Sequence, residues 1–137
     1  MSVVIDTSVT VGWIYDDERT AATGRVLERV TRESAWVPVI WRLEVANALQ
    51  QGIRRHRIDR NFRDAALADL EALGIAVDND TNTFAWNASL DLADEFRLTV
   101  YDACYLELAQ RLGLPLATLD KDLRSAGKVL GLTLLGT

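Results

Sequence analysis

The sequence predicts an α/β domain with a mainly parallel central sheet. Short apolar runs alternate along the chain with longer segments that have a helical period, which is the pattern of successive β-α units. The short runs are apolar throughout, as expected for strands that helices cover on both faces. Since 137 residues fit one domain of ordinary size, residues 1–137 are expected to form a single domain.

The elements follow in order from these patterns and from the residues that punctuate them. Five strands of four residues each are predicted at 3–6, 36–39, 74–77, 115–118 and 132–135. Helices are predicted at 19–32, 41–53, 59–73, 83–96 and 101–112, because apolar residues recur there at helical spacing. Asp59 is a candidate N-cap, and Gly74 and Gly113 are placed to end helices. Residues 56–59 are expected to form a turn between two helices.

The composition and the N-terminal segment exclude some kinds of metal site and indicate the cellular compartment. Cys104 is the only cysteine, so an intramolecular disulfide and an all-cysteine metal site are both excluded. The chain enters the apolar run at Val3 without a basic leader, and Asp6 interrupts that run long before the roughly 20 residues of a membrane span. A cytoplasmic protein is therefore expected.

Four acidic residues stand where apolar runs meet helical segments. Asp6 and Asp120 follow predicted strands, while Glu44 and Asp102 fall in the first turns of predicted helices. Loops that leave the carboxyl ends of parallel strands line one crevice, and helix N-termini favour anions. The sequence therefore predicts that all four carboxylates lie at one edge of the sheet.

Such a cluster needs a counter-charge, because crowded carboxylates would otherwise have raised pKa values. Oxygen ligands favour hard divalent cations, so Mg²⁺ or Mn²⁺ is expected. His56 is the only histidine, which excludes a histidine-rich zinc site. His56 itself is most simply interpreted as a turn residue. The net charge of −5 argues against nucleic acid as a partner, but cations bound at the carboxylates would offset most of it.

Four segments together carry a resemblance to a known family: VVIDTS at 3–8, EVANAL at 44–49, YDACYLELA at 101–109 and ATLD at 117–120. In this order they resemble the PIN-domain nucleases, specifically VapC-type toxins of toxin–antitoxin pairs. The resemblance implies a three-layer α/β/α sandwich, Mg²⁺- or Mn²⁺-dependent endoribonuclease activity, a homodimer and inhibition by a VapB-like antitoxin.

The resemblance also implies roles for particular residues. Asp6, Glu44, Asp102 and Asp120 match the family's four acidic positions, and Ser8 and Thr118 match positions that usually bear hydroxyls near the metal or phosphate. Arg42 and Leu43 depart from the family pattern, because many relatives have a small hydroxyl residue near that point.

Other residues allow two interpretations. Asp122 is an auxiliary ligand or, more simply, the N-cap of a short helix at 122–127. The basic cluster that contains Arg54, Arg55 and Arg57, with Arg60 and Arg63 nearby, is either an RNA phosphate contact or a solvated hairpin tip.

The tryptophans and the cysteine are expected to serve packing more than chemistry. Trp13, Trp36, Trp41 and Trp86 are expected in the core or at an interface rather than stacked on bases. Trp13, with Ile14 and Tyr15, could instead belong to an antitoxin groove. Cys104 is expected to be a small buried hydrophobic residue.

Two alternatives to a nuclease remain open. One is a module of the same fold that binds a metal or a partner and cleaves nothing. The other is an aspartate-based phosphatase or phosphoacceptor domain, which the sequence disfavours because such phosphatases have a second aspartate where Ser8 stands.

Overall fold

The computed structural model describes residues 1–137 and contains one five-stranded sheet. Its strands are β1 (Val4–Ile5), β2 (Trp36–Val37), β3 (Ala76–Val77), β4 (Leu116–Ala117) and β5 (Leu134–Leu135). All neighbouring strands pair in parallel, in the order β3-β2-β1-β4-β5. The predicted parallel sheet is confirmed, and the order reverses between β1 and β4.

Eight α-helices and one 3₁₀ turn connect the strands. The helices are α1 (Thr7–Ile14), α2 (Ala21–Glu33), α3 (Trp41–Arg54), α4 (Arg60–Ala72), α5 (Thr81–Ala85), α6 (Ala88–Phe96), α7 (Val100–Leu112) and α8 (Lys121–Val129), and the 3₁₀ turn is Asp16–Glu18. The helices flank the sheet, and the predicted three-layer α/β/α architecture is confirmed. No helix is both long and apolar enough to cross a membrane.

The sequence predictions of individual elements differ from the structure in three ways. Each strand has two residues rather than four, and Pro38 ends β2 early because it has no N–H for the sheet ladder. The sequence places Asp6 at the start of a helical segment but gives no bounds for helix α1, because TSVTVGWI carries apolar and β-branched residues without a helical period. The helix predicted at 83–96 is two helices, interrupted at Trp86 and Asn87.

The core lies on both sides of β1 and β4. Ile5 and Leu116 in these strands are completely buried, as is Leu106 in α7. Helix α7 has an unbroken buried run from residue 103 to residue 109, and it contacts both central strands. The predicted burial of Cys104 is confirmed within this run.

Two predicted helix boundaries are confirmed by their local geometry. The side chain of Asp59 accepts a hydrogen bond from the Phe62 amide and caps α4. Gly113 follows α7 with φ 64°, a left-handed conformation that glycine adopts without steric cost. The stop at Gly113 turns the chain back into β4, which carries Thr118 and Asp120 to the same edge of the sheet.

Candidate active site

Asp6 lies at the carboxyl end of the central strand β1 and is 4% exposed. It caps α1: its Oδ1 accepts hydrogen bonds from Ser8 Oγ at 2.6 Å and from the Val9 amide at 3.1 Å. Its Oδ2 accepts a short hydrogen bond from the Thr118 hydroxyl. The carboxylate is therefore held by neutral donors.

The hydroxyls of Ser8 and Thr118 join the loop after β1 to the loop after β4. Ser8 Oγ accepts from the Leu119 amide at 2.9 Å, and Thr118 Oγ1 accepts from the Asp120 amide at 3.0 Å. Each hydroxyl thus donates to Asp6 and accepts from an amide of the loop after β4. In this structure the two residues fix Asp6 against the loop that carries Asp120.

Asp120 and Asp102 belong to two further helix starts at this edge. Asp120 caps α8, since its Oδ1 accepts from the Leu123 amide at 2.9 Å. Asp102 lies in the first turn of α7, which Thr99 caps. Burial raises the pKa of Asp102, and the charges of Asp120 and Glu44 raise it further.

Glu44 lies in the first turn of α3 and meets α1 and α7 through its side chain. Its Oε1 accepts a hydrogen bond from the Tyr105 hydroxyl at 2.5 Å and another from Thr7 Oγ1 at 3.1 Å. Burial and the bond to Glu44 raise the pKa of Tyr105 well above its usual range. Tyr105 is therefore a neutral phenol that donates to the carboxylate.

The site is acidic and has no compensating cation from the protein. None of the ion pairs in the structure includes Asp6, Glu44, Asp102 or Asp120. Burial raises the pKa of Asp6; hydrogen bonds from Ser8, Thr118 and the Val9 amide oppose the effect, and the Asp120 charge adds to it. The expected pKa elevation is present at Asp6 and Asp102.

Asp122 does not have the predicted role of N-cap. Helix α8 begins at Lys121 and is capped by Asp120, so Asp122 is an exposed residue in the first turn. The prediction was wrong because the helix begins one residue before Asp122, and Asp120 is the aspartate whose oxygen reaches the Leu123 amide. The Asp122 charge still contributes to the raised pKa of Asp102.

The donor set suits a hard divalent cation, although the carboxylates do not converge on a single point. No three acidic, histidine or cysteine side chains are placed closely enough to hold a metal ion as they stand. The available ligands are carboxylate oxygens, which Mg²⁺ and Mn²⁺ prefer. His56 lies exposed beyond the end of α3, and the Cys104 thiol has a pKa raised by burial. The donor chemistry fits such a cation, and side-chain rotations would have to bring the oxygens together to hold it.

Some arginines of the basic cluster form ion pairs within the chain, and others form none. Arg57 binds Asp17 at 2.6 Å and Glu18 at 2.7 Å, and its guanidinium stacks on the Tyr15 ring. Arg63 pairs with Asp64. Arg54, Arg55 and Arg60 are exposed and form no ion pair, so they are the members free to meet another anion.

The tryptophans do not share one environment. Trp13 and Trp41 are buried, and their indole N–H groups donate to the Thr23 carbonyl and the Thr10 hydroxyl. Trp36 is half-buried in β2. Trp86 is 91% exposed after α5 and therefore lies outside the core, because α5 ends just before it; of the expected placements, the interface stays a prediction.

Sequence reasoning missed two residues that contact Glu44, namely Thr7 and Tyr105. Thr7 follows Asp6 directly, and Tyr105 lies one helical turn after Asp102, so both stand beside acidic positions that were identified. Their spacing was a usable signal, since residues three apart share a helix face. Their common partner is on another helix, and no local pattern in the sequence could show that.

Comparisons with known proteins agree with this architecture. A family model described as the PIN domain matches residues 3–129. The crystal structure of PAE2754 from Pyrobaculum aerophilum is similar over 98% of this chain and 89% of that chain, with a TM-score of 0.72 and 22% sequence identity. At that identity the likeness shows a shared fold. No match was found among curated proteins.

Proposed function

The chain belongs to the PIN-domain family, whose members are typically nucleases that use divalent metal ions, and we propose that it is a Mg²⁺- or Mn²⁺-dependent endoribonuclease. The observation that carries the proposal is the unpaired acidic cluster where the strand order reverses. Asp6 lies at this point after β1, and Asp120 lies beside it after β4. Ligands of open α/β sheets bind in this crevice.

The four carboxylates have different tasks in the proposed reaction. Asp6, Asp102 and Asp120 would hold the cation, and Glu44 would help to hold it or would orient the attacking water. A bound cation supplies water activation and neutralises charge on the phosphate and the leaving oxygen. Ser8 and Thr118 hold Asp6 in place, and hydrolysis leaves a 5′-phosphate and a 3′-hydroxyl.

The test is cleavage of RNA with Mg²⁺ or Mn²⁺ by the wild type and by the Asp6→Asn and Asp102→Asn variants. Each substitution removes the negative charge of a proposed ligand, so we expect a loss of several kcal/mol in transition-state stabilisation, about 100-fold or more in rate. Asp80→Asn is the matched control, because Asp80 is exposed and its side chain caps nothing. Cleavage that survives both ligand substitutions would refute the assignment, and metal binding without cleavage would favour a non-cleaving module.

We further propose that the enzyme is the toxin of a VapBC-type pair and is inhibited by a VapB-like antitoxin. An apolar groove of about 400 Å³ supports a protein partner; its lining includes Trp13, Ile14, Leu27, Phe62 and Leu70. Tyr15, which the sequence analysis assigns to an antitoxin groove together with Trp13 and Ile14, does not line this groove, and its ring packs against the Arg57 guanidinium. Expression should arrest growth, and a small antitoxin encoded upstream should rescue it. A Phe62→Asp toxin that is rescued equally well would argue against this groove.

Homodimerisation is also proposed, with Trp86 as a contact. Trp86 is 91% exposed, and aromatic side chains are enriched at protein interfaces relative to the rest of the surface. Sedimentation should show a dimer that Trp86→Ser weakens. A Trp86→Ser variant as dimeric as the wild type would remove this contact from consideration.

For the RNA substrate we propose phosphate contacts from Arg54 and Arg55. Both are exposed at the end of α3 and are free of intramolecular ion pairs, in contrast to Arg57. Replacing both with alanine should weaken RNA binding and flatten its dependence on salt. Arg57→Ala should change the salt dependence less, since its charge is already paired. An unchanged salt dependence in the double variant would discard the contact.

A further inference from the structure

Tyr105 places a hydroxyl inside the core beside the acidic cluster. The residue is 1% exposed and is one of the largest fully buried side chains. Its ring lies in the buried run of α7, while its hydroxyl donates to Glu44 Oε1 at 2.5 Å. Thr7 Oγ1 lies 3.1 Å from the same Glu44 oxygen and 3.1 Å from the Tyr105 hydroxyl. The three side chains form a closed triangle, in which each hydroxyl donates its single proton to Glu44 and the two hydroxyl oxygens contact each other.

The triangle connects the elements that carry the other carboxylates. Thr7 is the residue after Asp6, and Tyr105 lies one turn after Asp102 on α7. Glu44 comes from α3, far away in sequence. Because the ring of Tyr105 is packed on all sides, its hydroxyl has a fixed position, and its hydrogen bond restricts the flexible Glu44 side chain.

The two donors also distinguish between the two oxygens of Glu44. Both donate to Oε1, and Oε2 accepts no hydrogen bond. A carboxylate held through one oxygen keeps the lone pairs of the other for a cation or a water molecule. Donor groups behind a ligand set its orientation and commonly matter nearly as much as the ligand itself.

We propose that Tyr105 and Thr7 are positioning residues, which hold Glu44 through Oε1 so that Oε2 faces the cation or the attacking water. This inference rests on the proposed ribonuclease function. It assigns no chemical step to Tyr105, which acts only through Glu44.

The experiment compares Tyr105→Phe with Tyr101→Phe in RNA cleavage and in Mn²⁺ binding measured by calorimetry without RNA. Tyr105→Phe keeps the buried ring and removes only the hydroxyl. Tyr101 is on the same helix but is 64% exposed, so its variant is the matched control. We expect Tyr105→Phe to lower kcat or Mn²⁺ affinity about 10- to 100-fold, with KM for RNA and the control unchanged. Thr7→Val should act in the same direction.

A double variant separates positioning from structural loss. If Tyr105 acts through Glu44, then Tyr105→Phe in a Glu44→Gln background should lower kcat and Mn²⁺ affinity by much less than in the wild type, because contacting residues are not additive. Full additivity, or a Tyr105→Phe variant that matches Tyr101→Phe in both readouts, would overturn the inference.

The outcomes also separate this inference from the proposed function. A wild type that cleaves RNA together with an unaffected Tyr105→Phe variant refutes only the positioning role. A wild type that never cleaves RNA refutes the ribonuclease, and the calorimetric comparison then decides the role of Tyr105 alone.

Discussion

Two buried aspartates occupy equivalent positions at the carboxyl edge of the sheet but have different surroundings. Asp6 follows the central strand β1 and Asp78 follows the edge strand β3, and each is 4% exposed. Asp78 pairs with Arg111, whose Nη2 lies 2.7 Å from Asp78 Oδ2, and Arg111 also binds the buried Glu107 at 2.8 Å. Asp6 has only hydroxyl and amide donors.

The difference favours Asp6 over Asp78 as the candidate functional position. Burial acts to raise the pKa of Asp78, but hydrogen bonds from Arg111 and Thr81 outweigh it and hold the pKa below its usual range. At Asp6 burial prevails and the pKa is raised. Evidently this fold can compensate a buried carboxylate at the end of a strand. Where it does not, the charge costs stability, and such perturbed groups concentrate at functional sites.

The largest expected effect comes from removing the compensation at Asp78. In the Arg111→Met variant, Asp78 and Glu107 remain buried without a cationic partner, so the free energy of unfolding should fall by about 3–5 kcal/mol. Urea unfolding measures this. The control is Arg42→Met, because the Arg42–Glu71 pair is exposed and should contribute no more than about 1 kcal/mol. Equal losses of unfolding free energy in the two variants would mean that Arg111 does not compensate the buried charge of Asp78.

The dependence of stability on pH should have opposite signs at the two aspartates. A raised folded-state pKa at Asp6 means that the native state binds more protons, so stability falls as pH rises from the unfolded pKa through the folded one. A lowered pKa at Asp78 contributes stability above the unfolded pKa, and this contribution is lost as pH falls through the folded pKa.

Urea unfolding at a series of acidic to neutral pH values, in metal-free buffer, measures both contributions. The stability of the wild type relative to Asp6→Asn should decrease with pH, and relative to Asp78→Asn it should increase. Two curves that slope in the same direction would contradict the contrast between the sites.

The smallest effect on RNA cleavage is expected from substitution of Asp122, which lies at the margin of the acidic cluster. Asp122 is exposed in the first turn of α8, and its charge is a minor cause of the raised pKa of Asp102. Asp122→Asn should therefore change the RNA cleavage rate by less than about threefold, in line with an electrostatic effect well below 1.4 kcal/mol. A loss comparable with that of Asp102→Asn would make Asp122 a ligand.

Much of the fold follows from local patterns. Apolar runs located all five strands, and Asp59 and Gly113 marked helix boundaries, because caps and left-handed turns depend on adjacent residues. The bounds of helix α1 did not follow from the sequence, because the helix is buried between other elements and packing rather than periodicity decides its conformation. The break at Trp86 was missed for a similar reason, since α5 and α6 each form a separate contact with α7.

The residues of the candidate site follow from the sequence, but the contacts among them do not. Asp6, Asp102 and Asp120 stand out because each lies at the start of a helix beside an apolar run. The pairing of Asp78 with Arg111 joins residues 33 positions apart, and Tyr105 meets Glu44 across 61 positions. Only the folded chain shows which carboxylates find a cationic partner, and the contrast between Asp6 and Asp78 depends on that.

The most direct test of the central claim is calorimetric titration of Mn²⁺ into the metal-free protein. The uncompensated cluster should bind the cation in the wild type and in the exposed control Asp80→Asn, and Asp6→Asn should lose that binding. Because a ligand specific for the native state stabilises it, saturating Mn²⁺ should also raise the Tm of the wild type but not of Asp6→Asn. A wild type that binds no Mn²⁺, or an Asp6→Asn variant that binds it equally well, would contradict the account.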